Sequence, residues 1–390
     1  RARRRPIWGT GAVRQLGRPR PHRESRKRRT MKHAYARIAA ILTRSLADDR
    51  LAVFGDGNAA RQVRENQLTL TKVSTNVGGT LLLSANELEK VELSALDDLI
   101  EKRKAGGSRH IFVVSTIFSL DLDQSGNNIN RIIERPEWWE ARLAVHFADL
   151  VRLPEVEPHE TAFLTWRPEP AVRKRLDKAL CRLKLAARIR ALPGRLVQRL
   201  RISQARFMSE RLLTHLLDGK SIALVGNAVS LGAKDFGAAI DASDIVIRCN
   251  RAPIISTRSH GTRTDWIATS IDIPEEVARR RGARLILWMT PRVKRLPLWL
   301  FRWPQVFMNT KAANQRLADK LGSRPSTGAM VIDILVRSNC RSVDLYGFDF
   351  FAGLSLSGVH TRESTPHDFG SEEVWVQQLL DTDKRFTLHR

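Results

Sequence analysis

Three short runs in the second half of the chain carry side chains that can do chemistry. The first is Ser221-Ile-Ala-Leu-Val-Gly-Asn227, followed about twenty residues later by Asp244-Ile-Val-Ile-Arg-Cys-Asn250. Each reads as an apolar strand ending in asparagine, and an asparagine amide both accepts and donates, which suits a ribose and a pyrimidine. The pattern departs from a dinucleotide fingerprint. The turn is Gly226-x5-Gly232, and the second strand ends in Asn250 where that fingerprint has an acidic residue. The second run is Arg324-Pro-Ser-Thr-Gly-Ala-Met-Val-Ile-Asp333. Pro325 disfavours helix before it, Ser326 or Thr327 is a natural N-cap, and Gly328 leaves the first-turn N–H groups open to an anion. The third run holds His360 and His367, with Glu372 five residues after the second. An imidazole titrates near neutrality and can take a proton, and a glutamate beside it could orient the ring. Taken singly, each run has a bland counterpart: a tight turn, a capped helix, a surface or capping histidine.

The elements that position these runs alternate. Strand patterns fall at 221–225, 245–249, 266–269, 285–289, 306–308 and 343–346, with helical spacing at 312–321, 327–338 and 372–380. Such alternation predicts an α/β fold with a Rossmann-like, doubly wound, largely parallel sheet in residues 212–390, its ligands beyond the carboxyl ends of the strands. A smaller α/β domain is expected over 31–169. It has strand patterns at 51–54, 68–73, 81–83 and 110–116 and a helix at 93–104. Its Gly55-Asp-Gly-Asn58 is read as a tight turn. Asp121-Leu-Asp123 has the spacing of a divalent-cation site but is read as a solvated loop, and no metal is expected. Residues 170–211 form a basic linker with Leu176, Leu180, Leu183 and Leu185 in a rough stripe. Two readings of it stand side by side: a helix packed on its own domain, or a basic amphipathic helix lying on an anionic membrane.

In this order the three runs resemble the sialyltransferases of glycosyltransferase family 29. Residues 223–227 through 247–253 are similar to that family's long motif. Residues 325–328 through 345–348 are similar to its short motif, and His367 with Glu372 to its very short motif. Gly261-Thr-Arg-Thr-Asp265 also fits. The resemblance covers residues 221–390. It implies an inverting, metal-independent transfer of sialic acid, or a related acidic sugar, from a CMP-sugar donor to a glycan or lipid-linked saccharide hydroxyl, with no cofactor. Asn227 and Asn250 would contact the CMP, and Ser326, Thr327 and Gly328 the ribose and phosphate. His367 would be the general base, with Glu372 orienting it, and His360 would stand by the donor phosphate. The family's disulfide finds only one partner, since Cys340 stands at the short-motif position and Ile222 at the long-motif one. That departure points to a bacterial-type enzyme in a reducing cytoplasm. A transferase for another CMP-linked acid such as Kdo fits the same motifs.

Charge narrows the classes less than the motifs do. Sixty-six Lys and Arg against 41 Asp and Glu give a formal charge of +25. Residues 1–30 hold twelve of the basic residues and a single Glu, and read as a disordered tail, or as sequence upstream of a start at Met31. The remainder is basic too, which suits anionic partners: a nucleotide-sugar, an acidic glycan or the inner face of an anionic membrane. A basic nucleic-acid-binding protein with a Rossmann-like core is the competing class. The chain has neither an aromatic-rich RNA-binding motif nor zinc-finger spacing, so that class is disfavoured. Three cysteines are too few for a disulfide scaffold, and no apolar run approaches the roughly 20 residues of a membrane span.

Overall fold

A computed structural model describes residues 33–45, 51–55, 58–65, 81–105, 109–185, 207–349 and 367–390. Two sheets organise them. The N-terminal sheet contains β1 (Leu51–Phe54), β2 (Leu81–Ala85), β3 (Arg109–Ser115), β4 (Val151–Arg152) and β5 (Glu160–Leu164), in the order β1-β2-β3-β5-β4. The first three strands are parallel, and β5 runs antiparallel to β3. In that antiparallel pair Val113 lies opposite Ala162. The expected strand at 68–73 and the basic tail lie outside the described residues.

The C-terminal sheet is wholly parallel, as the alternating pattern predicts. It runs β10-β9-β8-β7-β6-β11-β12, where β6 is Ser221–Val225, β7 Ile245–Cys249, β8 Trp266–Thr269, β9 Leu285–Trp288, β10 Gln305–Met308, β11 Ser342–Tyr346 and β12 Phe386–His389. Near-continuous apolar runs such as Ile222-Ala-Leu-Val225 are what a strand covered by helices on both faces requires. The chain builds outward from β6 to β10, then returns to the other side of β6 for β11 and β12. The point of reversal therefore lies between β6 and β11, where sheets of this kind leave a crevice beyond the strand ends. The helix Thr327–Val336 packs in the centre. Eight of its ten residues are buried, and a helix apolar on all sides can only sit inside a core.

The first part of the basic linker follows one of its two readings, a helix packed on its own domain. Residues 170–185 are helical, and Leu176, Leu180 and Leu183 are buried in the core formed by β1, β2 and β3. Leu185 is exposed. The leucine stripe thus faces its own sheet, with the arginines and lysines left in water. The second amphipathic piece, at 196–200, lies outside the described residues. Among those described, no helix is long and apolar enough to cross a membrane. Cys181, Cys249 and Cys340 are all free, and β6 places Ile222 opposite Val343 of β11.

Leu176→Ala tests this packing. The side chain is fully buried, so its removal should destabilise the protein by about 2–5 kcal/mol. Urea unfolding measures the change. A loss within about 0.5 kcal/mol, the scale of an exposed substitution, would return the segment to the status of a linker.

Candidate active site

The crevice begins with two glycines. Gly226 follows β6 and donates to the Tyr346 carbonyl at 2.8 Å, and Ala228 donates to Gly347 at 3.1 Å. A Cβ on Gly226 would meet the Gly347 carbonyl oxygen at 2.4 Å, so only glycine lets these strand ends close. Gly347 has φ +67°. The next side chain, Phe348, wedges its ring between Gly226 and Gly328, 3.2 and 2.6 Å from the Cβ each glycine lacks. Gly328 therefore has a packing reason: it admits an aromatic ring. The sequence assigned it only the opening of N–H groups.

The second anchor is the start of the helix Thr327–Val336. Ser326 is its N-cap, and its hydroxyl accepts from Ala329 N–H at 3.1 Å. Glu372 holds that serine from the far side. One carboxylate oxygen takes Ser326 N–H at 2.6 Å and the other takes its hydroxyl at 2.7 Å. The expectation that Glu372 orients the His367 imidazole is thus corrected. The carboxylate, only 3% exposed, is committed to the helix start. Burial pushes it up to about 7, against the pull of the two Ser326 bonds. Thr327 donates from Oγ1 to Ser270 Oγ at 2.7 Å, tying the helix to the end of β8.

His367 stands beside this start. Its Nδ1 lies 2.9 Å from the Arg324 carbonyl. A carbonyl only accepts, so Nδ1 carries the proton, and the lone pair of the neutral ring is on Nε2. His367 is not the cap of the following helix. That role belongs to Asp368, which accepts from Gly370 and Ser371. His360 lies outside the described residues.

Asn227 and Asn250 line one cleft of about 150 Å³. Both amide oxygens are buried without a hydrogen-bond partner. An unmade bond to a buried polar atom costs about 1–3 kcal/mol, so two on one cavity wall mark where a ligand belongs. Asn250 has φ +55° and Ala252 φ +50°. For alanine this conformation costs about 1–2 kcal/mol, and the bend turns Arg251 into the cleft.

The opposite wall comes from the N-terminal sheet, which no motif announced. Ile117, Phe118 and Leu120 follow β3 and face the cleft, as does His159 from the loop before β5. Asn128 pins this wall in place. Its side-chain NH₂ donates to Ile254 O at 2.9 Å, and its backbone N–H to Ile255 O at 2.6 Å. Thr257 N–H returns a bond to Gly126 O at 2.8 Å, and Asp121 pairs with Arg280. Across the cleft Arg251 donates to Nε2 of His159. Burial first, then the Arg251 charge, push His159 down to about 4, so its ring is a neutral acceptor. The Asp-x-Asp pair is thereby explained. Asp121 serves the ion pair with Arg280. Asp123 closes a turn by accepting from Ser125 and Asn127 N–H at 2.8 and 2.9 Å, and it pairs with Arg131. Among the described residues no group of three metal-ligating side chains occurs. Gly55, at φ +80°, is a turn pressed against Ala85, where a Cβ would lie 2.1 Å from the carbonyl oxygen.

Residues 217–296 match the family model for glycosyltransferase family 29 (sialyltransferase). The match takes in Asn227 and Asn250 and stops before Ser326. No curated protein matches the chain. Among solved structures, a mammalian sialyltransferase is 20% identical, covering 50% of this chain and 78% of that one, with a TM-score of 0.38. A mammalian sialyltransferase in complex with Gal-beta-1-3GalNAc-ortho-nitrophenol is 19% identical, covering 49% and 78%, with a TM-score of 0.36. The sialyltransferase CstII from Campylobacter jejuni, in complex with the substrate analogue CMP-3FNeuAc, is 14% identical, covering 44% and 79%, with a TM-score of 0.30.

The Glu372 clamp has a pH signature. The buried carboxyl holds its proton up to about 7, against 4.5 in water. The folded state therefore binds the proton more tightly than the unfolded one across that window. By linkage, this group's contribution makes the protein less stable as pH rises through it. Glu372→Gln should flatten that slope, read from denaturant midpoints at several pH values. An unchanged slope would show that the clamp is ionised throughout.

Proposed function

We propose, from the match of residues 217–296 to the glycosyltransferase family 29 model, that the chain is a glycosyltransferase. On that premise we propose that it moves sialic acid, or a related acidic sugar, from a CMP donor to a glycan hydroxyl, with inversion, without a metal and with His367 as general base. The observation that carries the donor assignment is the pair of partnerless amide oxygens of Asn227 and Asn250 on one cleft. A cytidine offers what they lack: an exocyclic amine and ribose hydroxyls, both donors. The start of the Thr327–Val336 helix supplies the complement. Ser326 is already spent on Glu372 and Ala329, which leaves the Thr327 and Gly328 N–H groups at the positive end of a ten-residue helix for the phosphate. The reaction is a single displacement. The acceptor oxygen attacks the anomeric carbon, and the bond from that carbon to the phosphate oxygen breaks. The electron pair leaves with CMP, and the hydroxyl proton passes to Nε2 of His367. The Arg324 carbonyl, by taking Nδ1–H, fixes the tautomer that can accept it. His360 remains assigned to the phosphate side of the same reaction. The leaving group carries one phosphate, and helix-start N–H groups can meet its charge. The acceptor's glycan class is read from the family alone, and a CMP-Kdo donor fits the same cleft.

CMP should raise the unfolding temperature of the protein, because a ligand that binds only the folded state stabilises it. UMP and AMP should raise it less, and Asn227→Ala with Asn250→Ala should remove most of the CMP effect. Equal shifts from all three nucleotides would speak against a cytidine site. For the base, His367→Ala should lower turnover by roughly 10²-fold or more while leaving CMP affinity within about twofold. Steady-state kinetics and nucleotide titration on one preparation provide both readings. A fully active variant would remove His367 from the mechanism.

A further inference from the structure

Among the described residues of the cleft wall, Arg281 carries a guanidinium with no ion pair and no hydrogen bond at Nε or Nη2. It follows the helix Glu275–Arg280 and lines the cleft. Its neighbour Arg280 takes Asp121 and Glu276, and the other cleft cation, Arg251, is committed to His159 in the field of Asp272. Arg281 Nε and Nη2 are buried with no hydrogen-bond partner. Arg280 is the like charge that acts on it, and Arg281 in turn acts on Arg248 and His260, which are 1% and 0% exposed. Burial, then the charges of Arg248 and Arg281, push His260 down to about 3, so its ring is neutral. Arg248 donates to the Arg263 and His260 carbonyls at 2.9 and 2.6 Å and to Thr264 Oγ1 at 3.0 Å. Its Nη1 is left without a partner. His260 meets Ser259 Oγ through Nδ1 at 2.7 Å, and its Nε2 is likewise unpartnered. The acids that act on this group are Asp241 and Asp121. Asp241 is taken up by the backbone N–H groups of Thr262 and Arg263, and Asp121 by Arg280. Burial pushes the Arg281 guanidinium down to about 10. Desolvated like charges with unmade hydrogen bonds weaken a fold unless something negative joins them.

We propose that Arg281 is the anion-recognition residue of this cleft, taking a phosphate or carboxylate oxygen of the substrate, with the charge of the buried Arg248 guanidinium added to its own. The inference rests on the reading that the cleft holds the CMP-sugar donor. That donor carries both groups, the phosphate of CMP and the carboxylate of the acidic sugar. A guanidinium suits either, because its planar fork matches their paired oxygens. The N-terminal sheet is then part of the site, since Asp121 draws Arg280 away and leaves Arg281 to the ligand.

The proposal separates from a structural role because the two predict opposite stabilities. Arg281→Gln removes a charge from a cluster of like charges. Without ligand it should unfold at the same temperature as the wild type or higher, while its affinity for the anionic ligand falls at least about tenfold. Titration of both proteins with cytidine, CMP and CMP-sialic acid identifies the group. Loss for CMP and CMP-sialic acid with cytidine unchanged assigns the phosphate. Loss for CMP-sialic acid alone assigns the carboxylate. Arg281→Lys, which keeps the charge but loses the fork, should lie between, and it serves as the comparison if Arg281→Gln does not fold. Affinities unchanged for all three ligands, with a lowered unfolding temperature, would overturn the proposal. If the wild type binds none of the three, the donor reading fails by itself. Sulfate then decides: stabilisation of the wild type but not of Arg281→Gln supports an anion site, and equal shifts overturn it.

Discussion

The close approach of Gly226 and Gly347 is the constraint on which the C-terminal half depends. With no Cβ on Gly226, the ends of β6 and β11 bond to each other directly, and the reversal of the sheet becomes a tight junction. Phe348 then has one place to go, against Gly226 and Gly328. Its ring sets the distance between the turn that presents Asn227 and the helix that begins at Ser326. A Cβ at Gly226 or Gly328 would collide with the Gly347 carbonyl or the Phe348 ring and force the two halves of the site apart. Misplacement by about an ångström is enough to cost a large part of a catalysed rate.

A second theme is the use of buried charge to fix positions. Glu372 spends both oxygens on one serine. Its own environment resists ionisation, so the bond is made at the expense of the carboxylate's preference for water. Asn128 ties the wall of the N-terminal sheet to the segment after β7 with bonds to two successive carbonyls. By contrast, the cleft itself is left unsatisfied: two amide oxygens and part of the Arg281 guanidinium have no partner. Rigid support around under-satisfied polar groups is what a preorganised binding site requires, because the ligand then meets groups that need no rearrangement.

The sequence by itself determined the parallel sheet and most of its strands, since apolar runs bounded by turns are local signals. It also determined that Asn227, Asn250 and Ser326 stand at strand or helix ends, because those positions follow from where an apolar run stops. The strands β4, β5 and β12 escaped it: Val151–Arg152 is too short for periodicity to register, Phe386–His389 buries one residue and is no apolar run, and Glu160–Leu164 is recognisable only once β3 lies beside it. Tertiary structure alone decided the partners. Glu372 and Ser326 are 46 residues apart, and Arg251 and His159 are 92 apart. No spacing rule reaches that far, so the carboxylate read as orienting a histidine holds a helix cap instead, and a histidine with no motif around it lines the cleft. The leucines at 176, 180 and 183 show the same limit. Their helical spacing is written in the chain, but whether the stripe meets a membrane or a sheet depends on which apolar surface the fold brings within reach, and here that surface is β1, β2 and β3.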